Sequence, residues 1–178
     1  MSKVYLGAKF KNKQNSGFTV VAKTNTPKYW VVQFESGYKT TASDSNIPYG
    51  KVKDYFTPTV YGLGYLGAAC RIPQRGDCLL RKKYDLWANM LKRVCGKYKE
   101  FDNYLDVSVT PEWFNFSVFQ VEIENVEGYD AWVLDSTMCL DKDLSQQRLY
   151  SRATCRFISL EENSKEGSTR RWSTDSKK

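Results

Sequence analysis

The chain has 178 residues and a formal net charge of +7 at pH 7, with 41% hydrophobic and 15% aromatic residues. That much apolar material can form a core, which excludes a disordered chain, and no apolar run approaches the ~18–20 residues of a membrane span. The sequence contains no histidine, which removes histidine acid–base chemistry, Ser-His and Cys-His nucleophiles and every histidine-liganded metal.

Residues 1–56 read as a small β module. The opening stretch MSKVYLGAKFKNK lacks the apolar block of a signal peptide, so a soluble protein in the cytoplasm is expected. Phe18–Lys23 and Tyr29–Phe34 are rich in β-branched and aromatic residues, and Asn25-Thr-Pro27 separates them as a turn. Ser36-Gly37 turns the chain into a third strand at Tyr38–Thr41, and Asn46–Gly50 turns it into a fourth at Lys51–Lys53. Strands this short and evenly spaced predict a barrel or curled sheet. Residues 57–80 follow as a linker. Pro58, Gly62, Gly64 and Gly67 make it a bent connector, with Tyr61 and Tyr65 free to touch a partner. No Lys-Ser/Thr follows these glycines, so a nucleotide-binding loop is rejected and no nucleotide cofactor is expected.

The period changes from Arg81 to Lys99. Leu86, Met90 and Val94 recur every four residues with Trp87 and Leu91 beside them, which predicts an amphipathic helix stopped near Gly96. Val107 and Val109 alternate as a short strand, Pro111 suits the first turn of a helix, and Trp113, Phe116 and Phe119 share an apolar face. Glu122, Glu124, Glu127, Asp130 and Asp135 form an acidic stretch that should avoid phosphates. Met138–Asp143 and Leu149–Ile158 complete a domain over 81–162, and residues 163–178 read as a disordered polar tail.

Cys70, Cys78, Cys95, Cys139 and Cys155 are odd in number and show no C-x-x-C spacing. They read as thiols packing as small hydrophobes, with a Cys139–Cys155 contact left open. A basic balance favours polyanion partners, chiefly nucleic acid. Lys82, Lys83, Lys92, Arg93, Lys97 and Lys99 decorate the helix and its ends, Arg148, Arg152 and Arg156 lie near the last motif, and Lys39, Lys51 and Lys53 form a weaker patch.

Three motifs occur in a fixed order: Trp87-Ala-Asn-Met90-Leu-Lys-Arg93, then Val107-Ser-Val109 leading to Trp113-Phe-Asn-Phe116-Ser-Val-Phe119, then Leu140-Asp141-Lys-Asp143 followed by Tyr150-Ser-Arg-Ala-Thr-Cys155-Arg-Phe157. This order resembles phage HNH homing-endonuclease-like proteins. The N-terminal half is similar to the β module that often precedes their domain, through Phe34–Tyr38, Gly50–Asp54 and Pro58–Gly64. The resemblance implies an α+β chain in which the β barrel or curled sheet precedes a small ββα-type HNH-like unit.

It also implies a divalent metal, magnesium held by Asp141 and Asp143, beside a scissile phosphate of double-stranded DNA. This chain departs from the family pattern. The Gly-Asn loop is absent, and Arg152-Ala153 stands where Pro-Glu is usual. A displacement of about 1 Å can cost ~100-fold in rate. The expected function is therefore a DNA-binding regulator or accessory factor with impaired cleavage and no cofactor. The alternatives are an active metal-dependent endonuclease or nickase that uses Asp141 and Asp143 as catalytic and metal residues, and a phage protein that binds a host or defence protein.

Overall fold

The computed structural model describes residues 3–67, 73–74, 76–104, 106–142 and 148–165. Cys70, Asp143, the loop 144–147 and the tail beyond residue 165 lie outside the described residues. The architecture is mixed α+β, with one four-stranded antiparallel sheet and several helices. No helix among the described residues is long and apolar enough to cross a membrane.

Strands β1 (Lys9–Lys11), β2 (Gly17–Lys23), β3 (Tyr29–Phe34) and β4 (Lys39–Ser43) pair in chain order. Alternation sends Phe18, Val20, Val32, Phe34 and Ala42 to one face, where Ile47 and Val52 complete a core. A bulge between Val20 and Ala22 shifts the β2–β3 register, which re-aims the end of β2. β1 and β4 are not paired, so the sheet stays open rather than closing into a barrel. The strand expected at Lys51–Lys53 does not form. That segment is extended but joins no ladder, and Lys51 N–H donates instead to the Asn46 carbonyl at 3.0 Å.

The second core gathers around α1 (Cys78–Val94). This helix starts three residues before the expected Arg81 and ends at Val94. Gly96, at φ +65°, takes the left-handed conformation that ends helices, so the helix cannot run on to Lys99. Trp87, Met90 and Leu91 of α1 share this core with Trp113, with Phe116 and Phe119 of α2 (Phe116–Glu122), and with Trp132 of α3 (Tyr129–Leu134). Strand β5 (Ser108–Val109) pairs in parallel with β7 (Leu149–Tyr150). Strand β6 (Met138–Asp141) pairs antiparallel with β8 (Arg156–Ser159), and helical residues follow from 160 to 165. The turn Ser151–Thr154 breaks the stretch 149–158 into two strands with different partners.

The glycine-rich segment is a strap against this second core, not a free connector. Tyr65 N–H donates to the Phe114 carbonyl at 2.9 Å, and Phe116 N–H returns a bond to the Tyr65 carbonyl at 2.9 Å. A Cβ on Gly64 would fall 2.3 Å from Leu91 and 2.6 Å from Trp87, so only a glycine permits this approach. Tyr61 and Tyr65 are half-buried, the first packed on Tyr98 and the second on Phe56.

Candidate nucleic-acid interface

The cations of α1 divide by the face they occupy. Lys83 is only 5% exposed, and its ammonium donates to the Gln120 carbonyl at 3.0 Å and to the Glu124 carboxylate. Lys82 caps the C-terminal end of α3, donating to the carbonyls of Trp132 and Val133, with its charge 4.5 Å from the Trp132 ring. Lys92 bonds Glu100 at 3.1 Å, and that bond raises its pKa. Arg93 is half-buried, with its guanidinium 5.9 Å from the Tyr104 ring and close enough to Tyr150 for their charges to interact; burial pushes the pKa of Tyr150 up strongly.

Lys97 and Lys99 are exposed beyond the helix end, with Lys97 lying over Gly62. Arg148 forms an ion pair with Asp106 at 2.6 Å, Arg152 is exposed, and Arg156 is half-buried in β8. Of the nine cations singled out in the sequence, Lys97, Lys99, Arg148 and Arg152 are exposed, and Arg148 is held in its ion pair with Asp106; the other five have contacts within the fold or are half-buried in it.

The acidic stretch is likewise part of the framework. Glu122 accepts from the Trp113 indole N–H at 2.7 Å, Glu124 takes Lys83, and Asp135 accepts from Thr137 N–H and Oγ, both at 2.8 Å, which lowers its pKa.

The β module carries most of the imbalance of charge. Residues 1–56 hold nine lysines and no arginine, against Glu35, Asp44 and Asp54. That is a net +6 out of the chain's +7. Sequence reasoning missed this, although counting charge separately in each half would have found it. The lysines are held outward by the pleat. Lys9, Thr19, Gln33 and Lys39 follow one another across the four strands in register, on the face opposite Phe18, Val20, Val32 and Phe34. Asp54, by contrast, is 2% exposed and points inward, where Oδ2 accepts from Ser16 and Ser36 hydroxyls at 3.0 Å each and Oδ1 accepts from Phe56 N–H at 2.9 Å. One of the three acids is thus withdrawn from the surface, while lysines fill it.

At the β6–β8 pair, Asp141 is 5% exposed and stands opposite Arg156 in register. Its negative charge adds to burial in raising the pKa of Cys139. Cys139 and Cys155 are both free thiols. Asp143 lies outside the described residues, and among the described residues no three His, Cys, Asp or Glu side chains assemble into a metal-binding group. A buried carboxylate facing a guanidinium position does not fit a magnesium site, which takes several oxygen ligands.

No family model, no curated protein and no solved structure matches this chain.

Proposed function

We propose that this chain is a double-stranded-DNA-binding protein of bacteriophage HNH descent, which acts by occupying DNA as a regulator or accessory factor and not by cutting it efficiently. The observation that carries the reading is the segregation of charge: the β module holds a net +6, with its lysines in water, while most cations of α1 have partners inside the fold. Lysines exposed to water and not held in ion pairs are the groups that displace condensed counterions from phosphates, and that release drives sequence-independent affinity. Lys97, Lys99 and Arg152 remain available as further phosphate contacts.

A second reading, a metal-dependent nickase, is favoured by one observation: β6, β8 and the helical residues after them run strand, strand, helix, with Asp141 at the end of the first strand. One experiment separates the two. Supercoiled DNA is incubated with the protein across salt concentrations, with and without magnesium or manganese, and both gel shift and nicking are scored. Salt-sensitive shift without nicks supports the binding protein. Nicks abolished by Asp141→Ala support the nickase. Neither shift nor nicks defeats both.

A further inference from the structure

We infer that the cleft walled by Lys13, Lys51 and Lys53 holds the phosphate backbone of one strand of duplex DNA. The inference rests on the DNA-binding reading and gives it a place on the molecule. The cleft has a volume of about 600 Å³.

Its basic wall is built by two backbone segments pressed together. Lys13 N–H donates to the Gly50 carbonyl at 3.1 Å, and the Asn12 side chain holds the turn by accepting from Gln14 N–H at 2.9 Å and Ser16 N–H at 2.8 Å. Gly50 has φ +62°, and a Cβ there would meet the Lys11 carbonyl at 2.7 Å, so no side chain fits between the segments. The run after Gly50 is extended and alternates: Val52 and Asp54 are buried, Lys51 and Lys53 are exposed. Lys51 and Lys53, two residues apart on the exposed side of this run, line the cleft together with Lys13, and the Lys51 ammonium lies 5.8 Å from the Tyr49 ring centroid. This explains why a segment that reads as a strand is kept extended without joining a ladder.

The charge of this wall is not cancelled locally. Asp54 is the one acidic residue among the described residues lining the cleft. Its carboxylate accepts from Ser16, Ser36 and Phe56 N–H on the inner side. Thr57 and Thr59 also line the cleft, and their hydroxyls are neutral groups of the kind that bond phosphate oxygens without repelling them. Leu66 lines it too, and its carbonyl accepts from the Ser117 hydroxyl of α2 at 2.6 Å, which ties the cleft to the second core. Three exposed lysines along one cleft, neutral threonines and an inward-turned carboxylate are complementary to a run of phosphates.

The test uses the full chain and a labelled duplex, with affinity read by fluorescence anisotropy across salt. One variant carries Lys13→Gln, Lys51→Gln and Lys53→Gln. A second carries Lys9→Gln, Lys11→Gln and Lys39→Gln, the same charge change on the outer sheet face. All six side chains are exposed, so both variants should keep the parent melting curve. The expected result is a loss of about tenfold or more for the cleft variant, with the slope of log affinity against log salt flattened by up to ~0.9 per lost contact, and a clearly smaller change for the control. Equal losses in the two variants, or an unchanged cleft variant beside a wild type that binds, overturn the cleft and leave the DNA reading standing. A wild type that does not bind at low salt overturns the DNA reading itself.

Discussion

Lys83 and Glu124 form an ion pair across the second core, joining the middle of α1 to the short helical turn after α2, with the Gln120 carbonyl as a further acceptor 3.0 Å from the same ammonium. The lysine side chain is 7% exposed and the glutamate 53%, so the pair stands at the border of the core, with the cation on the dry side. A cation in that position holds helices together and does not reach a phosphate.

Lys83→Ala should therefore lower stability by about 1–3 kcal/mol, because the Gln120 carbonyl loses its buried donor. It should leave the DNA affinity of the folded protein unchanged. Urea unfolding and anisotropy titration read the two effects separately. A fully stable Lys83→Ala protein with weakened DNA binding would return this lysine to the interface.

Gly64→Ala should destabilise by about 1–3 kcal/mol, since the added methyl would overlap both Leu91 and Trp87. A thermal melt gives the answer. An unchanged melting temperature would mean that the strap yields easily and is a connector after all.

Asp54→Ala should cost about 1–3 kcal/mol, because the Phe56 N–H and the Ser16 hydroxyl lose the acceptor that the buried carboxylate supplies and the Ser36 hydroxyl is released to water. Because Asp54 anchors the run that carries Lys51 and Lys53, the variant should also weaken DNA binding, despite removing a negative charge. Tighter binding by Asp54→Ala would show that the carboxylate acts on DNA through its charge and not through the wall it anchors.

Much of the fold is legible in the sequence. Tyr29–Phe34 forms the strand that its β-branched and aromatic residues predict. Trp87, Met90, Trp113, Phe116 and Phe119, which share apolar faces in the sequence, are all 1% exposed or less. Local periodicity fixes these because each burial decision depends on neighbours a few residues away. The glycine strap is not legible, since Gly64 meets Trp87 and Leu91 only through tertiary packing. The same limit governs the cations of α1. Their partners Glu124, Trp132 and Tyr150 come from distant elements, so a basic helix in the sequence does not disclose which charges are already satisfied. The extended run at 51–53 keeps the alternation of a strand but lacks a neighbour to pair with.

Stability should fall at alkaline pH. Burial pushes the Cys155 thiol from 9.0 up to about 12 and raises the Tyr150 phenol well above its usual 10.0. Both groups are kept neutral in the native state, so their contribution is complete below about pH 9. It is lost as the pH rises toward the native values, because the unfolded chain releases these protons first, and each tenfold difference in proton affinity between the two states corresponds to about 1.4 kcal/mol. Urea midpoints measured from about pH 8 to about pH 11 should decline over that interval. In the native protein the exposed Cys78 should react with a thiol reagent well before Cys155. Equal rates for Cys78 and Cys155, or a flat stability profile, would contradict the buried placement.

The most direct test of the central claim is the affinity of the full chain for a duplex, measured from about 50 to about 200 mM salt. With contacts from Lys13, Lys51 and Lys53 at least, the account predicts a log–log slope steeper than about −2.5, at ~0.9 for each phosphate neutralised. Affinity that ignores salt, or no binding at the lowest salt, would contradict it.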